Sequence, residues 1–432
     1  MARRRSMYLD IPAARRRSSY SSYGGRREGG GILRKIFITF VVLLLVVIAG
    51  GIYQWTRGVP AQQVKASYAS TVTAPGGAPK LPWPKEGQAA VAVRGGGTMA
   101  WPVTGAKPAP IASLAKMMTA YQILTDHPLG AGGGNGPTLR VTAADVRDYR
   151  HRAAQQQSVL AVHAGERLTE YKALQALLIP SANNVAALLA RWDAGSVGKF
   201  VAKMNATAQK LGLTDTHYAD PDGTSPRTTS TAVDQLTLAQ KAMTVPTFAK
   251  IVRQPAATFP AVGKLFNYDY EIGHHGFIGI KTGSHAAAGG CWAFAAKRPV
   301  DGKPSVVYGV VLGQHAKKTG ALIQPALALG RRLADAAPKV VTDVTLVKSG
   351  VTVGSLQADW RDDVPLVTKN TVSAVTGPGQ RYEVRIQLHV PSDDHVAAGT
   401  TVGTLTVAGV STPVVVARDA AGPTVKWRLT HI

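Results

Sequence analysis

An uncharged apolar run covers residues 36–53 and is the strongest hydrophobic pattern in the chain. A run of this length can cross the hydrocarbon core of a membrane as a helix, and no polar face interrupts it. Tyr53 and Trp55 are residue types that favour the membrane–water interface. The pattern predicts a transmembrane anchor at residues 36–55. A buried core helix and a cleavable signal peptide are the alternatives, but small-residue cleavage sites such as residues 64–66 lie far beyond the run.

Positive charge is concentrated just before this run. The chain carries +24; residues 1–35 hold ten Lys and Arg against Asp10 and Glu28, which gives +8 for this arm and leaves +16 elsewhere. Basic chains suggest nucleic-acid binding, but the aromatic residues are few and are not interleaved with basic clusters, so no nucleic-acid partner is expected. The positive-inside rule predicts a cytoplasmic tail at residues 1–35 and an extracytoplasmic remainder, hence a single-pass protein of the cell membrane.

The composition and hydrophobic pattern of the remaining chain change twice. Residues 56–80 are rich in Pro, Gly, Ala, Ser and Gln without periodicity, which predicts a spacer. Residues 81–338 mix strand-like and helix-like runs, which predicts one mixed α/β or α+β domain. Short β-branched runs separated by Gly, Pro and Asp fill residues 339–432 and predict a small all-β, sandwich-like domain. In the mixed domain the strand-like runs are 89–94 and 306–312, and the helix-like runs are 113–124, 168–178, 185–192 and 197–211.

The first motif with candidate chemistry is Ser113-Leu114-Ala115-Lys116, at the start of a helix-like run. Residues three apart on a helix share one face, so the lysine amine can reach the serine hydroxyl. The free N–H groups and the dipole at a helix N-terminus also suit a developing alkoxide. Taken alone, the pattern is equally typical of a helix-capping serine followed by a surface lysine.

Two further motifs follow along the chain. Ser181-Ala182-Asn183 places a hydroxyl and a carboxamide at a bend after an apolar run, and its simpler interpretation is a polar turn before the next helix. Lys281-Thr282-Gly283 closes a strand-like run. A lysine and a threonine at a strand end can bind a carboxylate, and the glycine lets a substrate backbone approach closely. Neither motif is specific by itself.

In this order, the three motifs resemble the S-x-x-K, S-x-N and K-T-G set of penicillin-binding proteins and serine β-lactamases. The resemblance extends to the low-molecular-weight D-alanyl-D-alanine carboxypeptidases over about residues 88–333. It implies an α+β fold of the β-lactamase/D,D-peptidase type: an antiparallel sheet flanked by helices, with a helical subdomain. The β domain resembles the family's C-terminal module at residues 398–405. Similar stretches are 113–121, 165–169, 176–183, 204–205, 211–212, 216–223, 279–283 and 288–290.

The resemblance implies acyl transfer from a peptidoglycan stem peptide, with β-lactams as inhibitors. Ser113 would attack the carbonyl between the two terminal D-alanines and form an acyl-enzyme. Lys116 would act as general base, with its pKa lowered by burial and by the charge of Lys281. Ser181 would pass the proton to the departing amine, and Asn183 would orient Lys116 and bind the substrate amide.

The remaining implied roles concern substrate binding. Lys281 and Thr282 would hold the terminal carboxylate of the substrate. The backbone N–H groups of Ser113 and Ser284 would form the oxyanion hole. Neither a metal nor a cofactor is implied.

The chain departs from the family pattern at three places. Ala182 and Asn184 stand where the family has Gly and Asp in and after the second motif, and Ile278 stands where it has Asp before the third. The family also uses an Arg after the last core strand to bind the substrate carboxylate. This chain offers Lys317 and Lys318 there, and a lysine gives a point charge rather than a bidentate fork.

Two alternative functions accompany the carboxypeptidase interpretation. A class A β-lactamase needs an additional Glu to activate water, and the chain has no E-x-x-L-N-like segment. A non-catalytic wall-binding scaffold predicts broken motifs, whereas all three motifs are intact. The sequence does not choose among carboxypeptidase, endopeptidase and transpeptidase activity, because the three share one acyl-enzyme and differ in the acceptor. It is also silent on oligomeric state and on the role of the β domain.

Overall fold

The computed structural model describes residues 30–77, 79–94, 97–101, 106–130, 134–300, 302–316 and 322–431. These residues form two compact units, which are described separately. The described parts of the first unit are residues 30–61, 358–361 and 422–431, and the second unit spans residues 62–357 and 362–421 apart from the gaps above. Most of the basic arm, residues 1–29, lies outside the described residues.

The helices and strands follow in chain order. The helices are α1 (Gly30–Thr56), α2 (Ala115–Asp126), α3 (Ala143–Ala154), α4 (Glu170–Leu178), α5 (Asn183–Ala194), α6 (Val197–Lys210), α7 (Ala232–Ala242), α8 (Pro246–Val252), α9 (Gln324–Ala336) and α10 (Val425–Thr430). The first strands are β1 (Gln63–Ala66), β2 (Thr71–Thr73), β3 (Gln88–Val93), β4 (Thr98–Trp101), β5 (Ala109–Pro110), β6 (Thr138–Arg140), β7 (Arg167–Thr169), β8 (Thr229–Ser230), β9 (Ala256–Phe259) and β10 (Gly263–Phe266). The later strands are β11 (Phe277–His285), β12 (Gly289–Lys297), β13 (Val306–Gln314), β14 (Thr342–Val347), β15 (Thr352–Ala358), β16 (Arg361–Thr368), β17 (Val372–Thr376), β18 (Arg381–Leu388), β19 (Thr401–Val407) and β20 (Val410–Val416).

The first unit is dominated by α1, whose apolar side chains are exposed. Its stretch Gly31–Thr56 is long and apolar enough to cross a membrane, and none of the apolar stretch is buried against protein. At about 1.5 Å per residue these 26 residues span about 39 Å, which exceeds the roughly 30 Å hydrocarbon core of a bilayer. The short helix α10 contacts the end of α1, where the guanidinium of Arg428 lies 5.6 Å from the centre of the Trp55 ring.

The second unit is built around an antiparallel sheet with the strand order β11-β12-β13-β3-β4. Its central strands are buried on both faces, so their apolar runs are nearly continuous. Successive side chains of β12 point to opposite faces of the sheet and belong to two different hydrophobic clusters. Cys291 and Ala293 pack on one face, and Trp292 and Phe294 pack on the other. Helices α2 and α4–α8 contribute to the cluster on the first face, and α9 contributes to the second.

Most helices on the first face are preceded by a residue whose side chain caps the helix N-terminus. Thr142, Thr169, Ser196 and Thr231 precede α3, α4, α6 and α7, and each accepts a hydrogen bond from a backbone N–H three residues further on. The helices α2 and α5 begin without such a cap. These two helices begin at the first and second motifs, so the motif hydroxyls are not used to cap them.

The prediction of a spacer at residues 56–80 is wrong for part of this range. The residues of β1 and β2 join the C-terminal strands in a sheet with the order β1-β15-β16-β20-β19-β18-β2. Val64 pairs with Leu356, and Val72 pairs with Tyr382. Strands of four and three residues are too short to show a periodicity of two, and their pairing partners lie about 300 residues away, so only the tertiary structure reveals them.

In residues 339–432, where the sequence predicts short strands, the structure has strands at 342–347, 352–358, 361–368, 372–376, 381–388, 401–407 and 410–416. Buried Val and Leu side chains of these strands form a hydrophobic cluster distinct from the two clusters of the five-stranded sheet. We call residues 342–416, together with β1 and β2, the C-terminal β region. Its separation as a sandwich-like domain stays a prediction, while the mixed helix and sheet architecture of the chain is confirmed.

Candidate active site

Ser113 lies in a 3₁₀ turn, Ala112–Leu114, that leads directly into α2. Ala112 has a positive φ of 47°, a conformation that is uncommon for a residue with a side chain and that concentrates at functional sites. Lys116 follows in the first turn of α2, and its Nζ lies 2.8 Å from Ser113 Oγ. The sequence spacing therefore brings amine and hydroxyl together as expected. This distance allows a proton to pass between them when the amine is neutral.

Lys116 is fully buried, and this burial is the main reason that its pKa falls to about 8. The carboxylates of Asp222 and Asp220 oppose this lowering of the pKa, while the charge of Arg152 adds to it. Arg152 is a cation that the sequence did not suggest, and the expected repulsion between Lys116 and Lys281 is present as well, where it lowers the pKa of Lys281. A lysine whose pKa is about 8 is partly neutral at physiological pH, as a general base requires.

A loop that follows α6 holds Lys116 in place from the other side. The backbone carbonyl of Asp222 accepts a hydrogen bond of 2.8 Å from Lys116 Nζ. Asp222 is itself fixed by Arg152, whose Nη1 donates to Oδ2 at 2.9 Å, and by the backbone N–H of Thr224, which donates to Oδ1 at 2.9 Å. At Gly223, where φ is +77°, a Cβ would lie 1.8 Å from the carbonyl oxygen of Ala112, so a side chain there would displace the serine turn.

Ser181 and Asn183 lie at the start of α5. Ser181 has a φ of 60° and is 3% exposed, and its Oγ has no hydrogen-bond partner among the described residues. Asn183 Nδ2 donates to Gln157 Oε1 at 2.9 Å and to Thr224 Oγ1 at 3.2 Å, while its Oδ1 accepts no hydrogen bond within the described part of the chain. The polar atoms Ser181 Oγ and Asn183 Oδ1 are thus buried but unsatisfied.

The orienting role expected of Asn183 is not seen in the structure. Lys116 Nζ donates to Ser113 Oγ and to the Asp222 carbonyl, whereas Asn183 donates to Gln157 and Thr224. The carbonyl of Asp222 therefore orients the lysine. Sequence reasoning missed this contact because a backbone carbonyl carries no residue-specific signal, although the stretch 216–223 had been noted as family-like.

The third motif lies on β11, the edge strand of the five-stranded sheet. Lys281 and Thr282 are 1% and 3% exposed, and Lys281 Nζ donates to the Thr282 carbonyl at 2.9 Å. Burial, and after it the charge of Lys116, lower the pKa of Lys281 well below its usual value, and the charge of Asp269 acts in the opposite direction. A Cβ on Gly283 would lie 2.7 Å from the backbone N of Ser113. The strand thus passes against the serine turn, which only glycine permits.

A cleft of about 220 Å³ joins the three motifs. Ser113, Ser181, Thr282 and Ser284 line it, so both residues of the expected oxyanion hole border it. Lys116, Asn183 and Lys281 lie behind these residues as buried support. Lys317 and Lys318, expected near the substrate carboxylate, lie outside the described residues. The full lining is Ser113, Ser158, Ser181, Tyr268, Tyr270, Thr282, Gly283, Ser284 and Ile323.

The sequence reasoning did not identify Ser158, Tyr268 or Tyr270 as parts of the site. Ser158 reaches the cleft because its carbonyl accepts a hydrogen bond of 2.8 Å from the backbone N–H of Asn183. Residues 268 and 270 belong to the segment that precedes β11, and no motif marks that segment. Among the described residues, no group of three or more His, Cys, Asp and Glu side chains is placed to hold a metal ion.

Comparison with known proteins identifies the family that this chain resembles. The D-alanyl-D-alanine carboxypeptidase family profile matches residues 104–315. D-alanyl-D-alanine carboxypeptidase DacB2 of Mycobacterium tuberculosis is 33% identical over 196 residues, which is 44% of this chain but only 62% of that protein. A D-alanyl-D-alanine carboxypeptidase of Streptomyces sp. strain K15 is 31% identical over 204 residues, 43% of this chain and 67% of that protein.

A solved structure extends the likeness to the fold. The crystal structure of the D-alanyl-D-alanine carboxypeptidase DacD from Francisella tularensis superposes with a TM-score of 0.54 at 19% identity, over 80% of this chain and 95% of that one. At this identity the superposition speaks for the fold alone. On the family profile, the relatives and the intact motif set, the chain belongs to the D-alanyl-D-alanine carboxypeptidase family.

Proposed function

We propose that this protein is a serine-type D-Ala-D-Ala carboxypeptidase that removes the terminal D-alanine from peptidoglycan stem peptides and is acylated by β-lactams. The observation that carries the proposal is the 2.8 Å contact between Lys116 Nζ and Ser113 Oγ at the floor of a cleft lined by Thr282 and Ser284. Family membership supports the same reaction.

Acylation follows from this geometry. Neutral Lys116 takes the proton of Ser113, and the Oγ forms a bond to the carbonyl carbon between the two terminal D-alanines. The N–H groups of Ser113 and Ser284 stabilise the oxyanion, a kind of contribution that commonly amounts to about 3 kcal/mol per donor. The C–N bond then breaks, and the departing amine receives the proton that Lys116 took, passed on through the Ser181 hydroxyl, so that Lys116 is neutral again.

Hydrolysis completes the cycle. A water attacks the acyl-enzyme ester and gives up a proton to Lys116, and the shortened peptide leaves as Ser113 Oγ regains its hydrogen. Lys281 and Thr282 bind the substrate carboxylate before acylation, because Thr282 lines the cleft and the buried amine of the neighbouring Lys281 supports it. The unsatisfied Oδ1 of Asn183 is an acceptor suited to the substrate amide N–H.

The location is part of the proposal. We infer that α1 spans the cytoplasmic membrane once, with the Arg-rich tail inside and the catalytic residues outside, because cytoplasmic flanks carry the excess of Lys and Arg. This places the cleft on the side where peptidoglycan is found. We further propose that the C-terminal β region is a separate support for the catalytic domain.

Benzylpenicillin labelling tests the proposal. The full-length protein in detergent micelles is incubated with benzylpenicillin, and its intact mass is compared with that of a Ser113→Ala variant. We expect a mass increase of one penicillin on the parent and none on the variant. Release of D-alanine from a synthetic pentapeptide then distinguishes a carboxypeptidase from a β-lactamase. A folded parent protein that shows neither an adduct nor D-alanine release would falsify the proposal.

A further inference from the structure

The segment from Phe266 to Glu271 alternates strictly between exposed and buried residues. Phe266, Tyr268 and Tyr270 are 63%, 42% and 61% exposed, whereas Asn267, Asp269 and Glu271 are 5%, 2% and 7% exposed. The segment leaves β10 at Phe266, bends at Tyr268 and enters a turn at Tyr270 and Glu271, and its successive side chains face alternately outward and inward. Three large aromatic side chains therefore face outward in the segment that precedes β11.

Each inward side chain of this segment is anchored by hydrogen bonds. Asn267 Nδ2 donates to the Gln254 carbonyl at 3.1 Å. The indole Nε1 of Trp292 donates to Asp269 Oδ2 at 2.9 Å, and the backbone N–H of Glu271 donates to Asp269 Oδ1 at 3.2 Å. Arg331 Nη1 forms an ion pair with Glu271 Oε1 at 2.9 Å.

These anchors make the outward face rigid. Trp292 belongs to β12 and stands directly opposite Thr282 in the register of β11 and β12. The Asp269–Trp292 hydrogen bond therefore ties the segment to the same pair of strands that carries the third motif. The backbone that carries Tyr268 and Tyr270 is therefore tied to the strands that carry Thr282.

The two tyrosines line the same cleft as Thr282, Gly283 and Ser284. Thr282 is one of the residues assigned to the terminal carboxylate of the substrate. Of the described residues that line the cleft, none is charged, and most carry a hydroxyl. The Asp269 carboxylate is turned inward and accepts two N–H donors, so the outward face of the segment offers phenolic O–H groups instead of a competing anion.

We propose that Tyr268 and Tyr270 bind the terminal carboxylate of the D-alanine that leaves. This inference rests on the proposed function and names the groups that select its substrate. A hydrogen bond from a neutral donor to a charged group contributes more than one between neutral groups. The tyrosines thus supply the directional donors that Lys281, buried beneath Thr282, does not present at the cleft surface.

The test compares two peptides with the full-length protein in detergent micelles. One peptide ends in D-Ala-D-Ala with a free carboxylate, and the other is identical but ends in a carboxamide. The ratio of the two kcat/KM values measures the preference for the carboxylate. We expect the double variant Tyr268→Phe/Tyr270→Phe to lower this ratio about tenfold or more, because both rings stay and only the hydroxyls are lost. The single variants apportion the effect between the two positions.

Phe266→Leu is the matched control. Phe266 lies on the same exposed face of the segment and does not line the cleft, so we expect its ratio to equal that of the parent. A double variant that keeps the parent's ratio within twofold overturns this inference and leaves the proposed function intact. If the parent releases neither product from either peptide, the proposed function is wrong and this inference is wrong with it.

Discussion

The cleft and the C-terminal β region differ in whether their buried polar groups have hydrogen-bond partners. The cleft buries the amines of Lys116 and Lys281, and it leaves Ser181 Oγ and Asn183 Oδ1 without partners in the described part of the chain. The C-terminal β region buries mainly Val and Leu. Its buried threonines are satisfied: Thr368 donates to the Lys348 carbonyl at 2.7 Å, and Thr412 accepts from the backbone N–H of Asn370 at 3.0 Å.

This difference shows where the molecule is organised for reactivity and where for stability. Burying charged and unsatisfied groups costs free energy of folding, but it leaves those groups ready for a substrate. The positive φ angles of Ala112 and Ser181 belong to the same region of strain. Strands whose buried polar groups are already hydrogen-bonded have no unpaired groups to offer a substrate. We therefore expect that replacing a buried group of the cleft lowers activity and raises stability. Truncating a buried side chain of the C-terminal β region should lower stability and leave activity unchanged.

Lys116→Met gives the largest expected effect. Loss of the general base lowers the rate of penicillin acylation about a thousandfold. The folded-state pKa of Lys116 lies below its unfolded value, so the folded protein at pH 7 holds a buried ammonium whose cost disappears only as pH rises from about 8 to 10.5. Removing that charge raises the free energy of unfolding at pH 7 by about 1–3 kcal/mol. Stopped-flow acylation and urea unfolding measure the two effects, and a variant both slower and less stable would contradict the comparison.

Leu405→Ala tests the opposite case. Leu405 is fully buried in the hydrophobic cluster of the C-terminal β region. The cavity left by the truncation lowers the free energy of unfolding by about 2–5 kcal/mol. The acylation rate of the folded protein stays at the parent value, as a penicillin titration of the native fraction can show. A large loss of acylation in fully folded variant would mean that the two regions are coupled.

Removal of the edge strands β1 and β2 tests whether they belong to the C-terminal β region. A fragment that begins at Leu81 lacks β1 and β2, whereas one that begins at Pro60 keeps them. The shorter fragment loses the pairing to β15 and β18 and the buried Ala74, so its midpoint of thermal unfolding falls by roughly 4 °C or more. Differential scanning calorimetry of the two fragments measures this shift. Equal midpoints would show that the strands contribute nothing to stability.

The pH dependence of acylation reports the state of Lys116. Because its pKa is about 8 and the base must be neutral, the acylation rate rises about tenfold per pH unit between pH 6 and 7.5 and levels off above about 8. Penicillin acylation rates across this range provide the measurement. A rate that is constant from pH 6 to 9 excludes Lys116 as the titrating base.

Glu170→Gln examines a buried charge that lies outside the cleft. Glu170 is fully buried, neither carboxylate oxygen has a hydrogen-bond partner among the described residues, and burial raises its pKa to about 7. A raised carboxyl pKa means that stability falls as pH rises from 4.5 through 7. We expect the variant to be about 1–2 kcal/mol more stable than the parent at pH 8 and equal to it near pH 4.5. Urea unfolding at both pH values tests this, and an equal difference at both would refute the assignment.

Short-range patterns allowed much of the fold to be predicted. The helix-like run at residues 197–211 corresponds to α6 at Val197–Lys210, and the strand-like run at 306–312 corresponds to β13 at Val306–Gln314. The first run repeats at the period of a helix, and the second is a short, nearly continuous apolar run rich in Val, so local composition suffices. The spacer prediction was wrong at β1 and β2, because those residues are ordered by partners about 300 positions away.

In the candidate site, too, some contacts follow from the local sequence and others depend on the tertiary structure. Ser113 and Lys116 are three residues apart, so their contact follows from helix geometry once the helix is predicted. The carbonyl of Asp222, the charge of Arg152 and the rings of Tyr268 and Tyr270 reach the site from separate segments, and no local pattern marks them. Their identification required the three-dimensional arrangement.

The sequence by itself determined the chemical groups, their order along the chain and the family to which they belong. It also determined an apolar segment long enough to cross a membrane. Only the tertiary structure decided which carbonyl contacts Lys116, that the charge of Arg152 helps to lower its pKa, and which side chains line the cleft. The physical reason is that pKa values and hydrogen-bond geometry depend on burial and on distances between remote segments, and those distances exist only after the chain has packed.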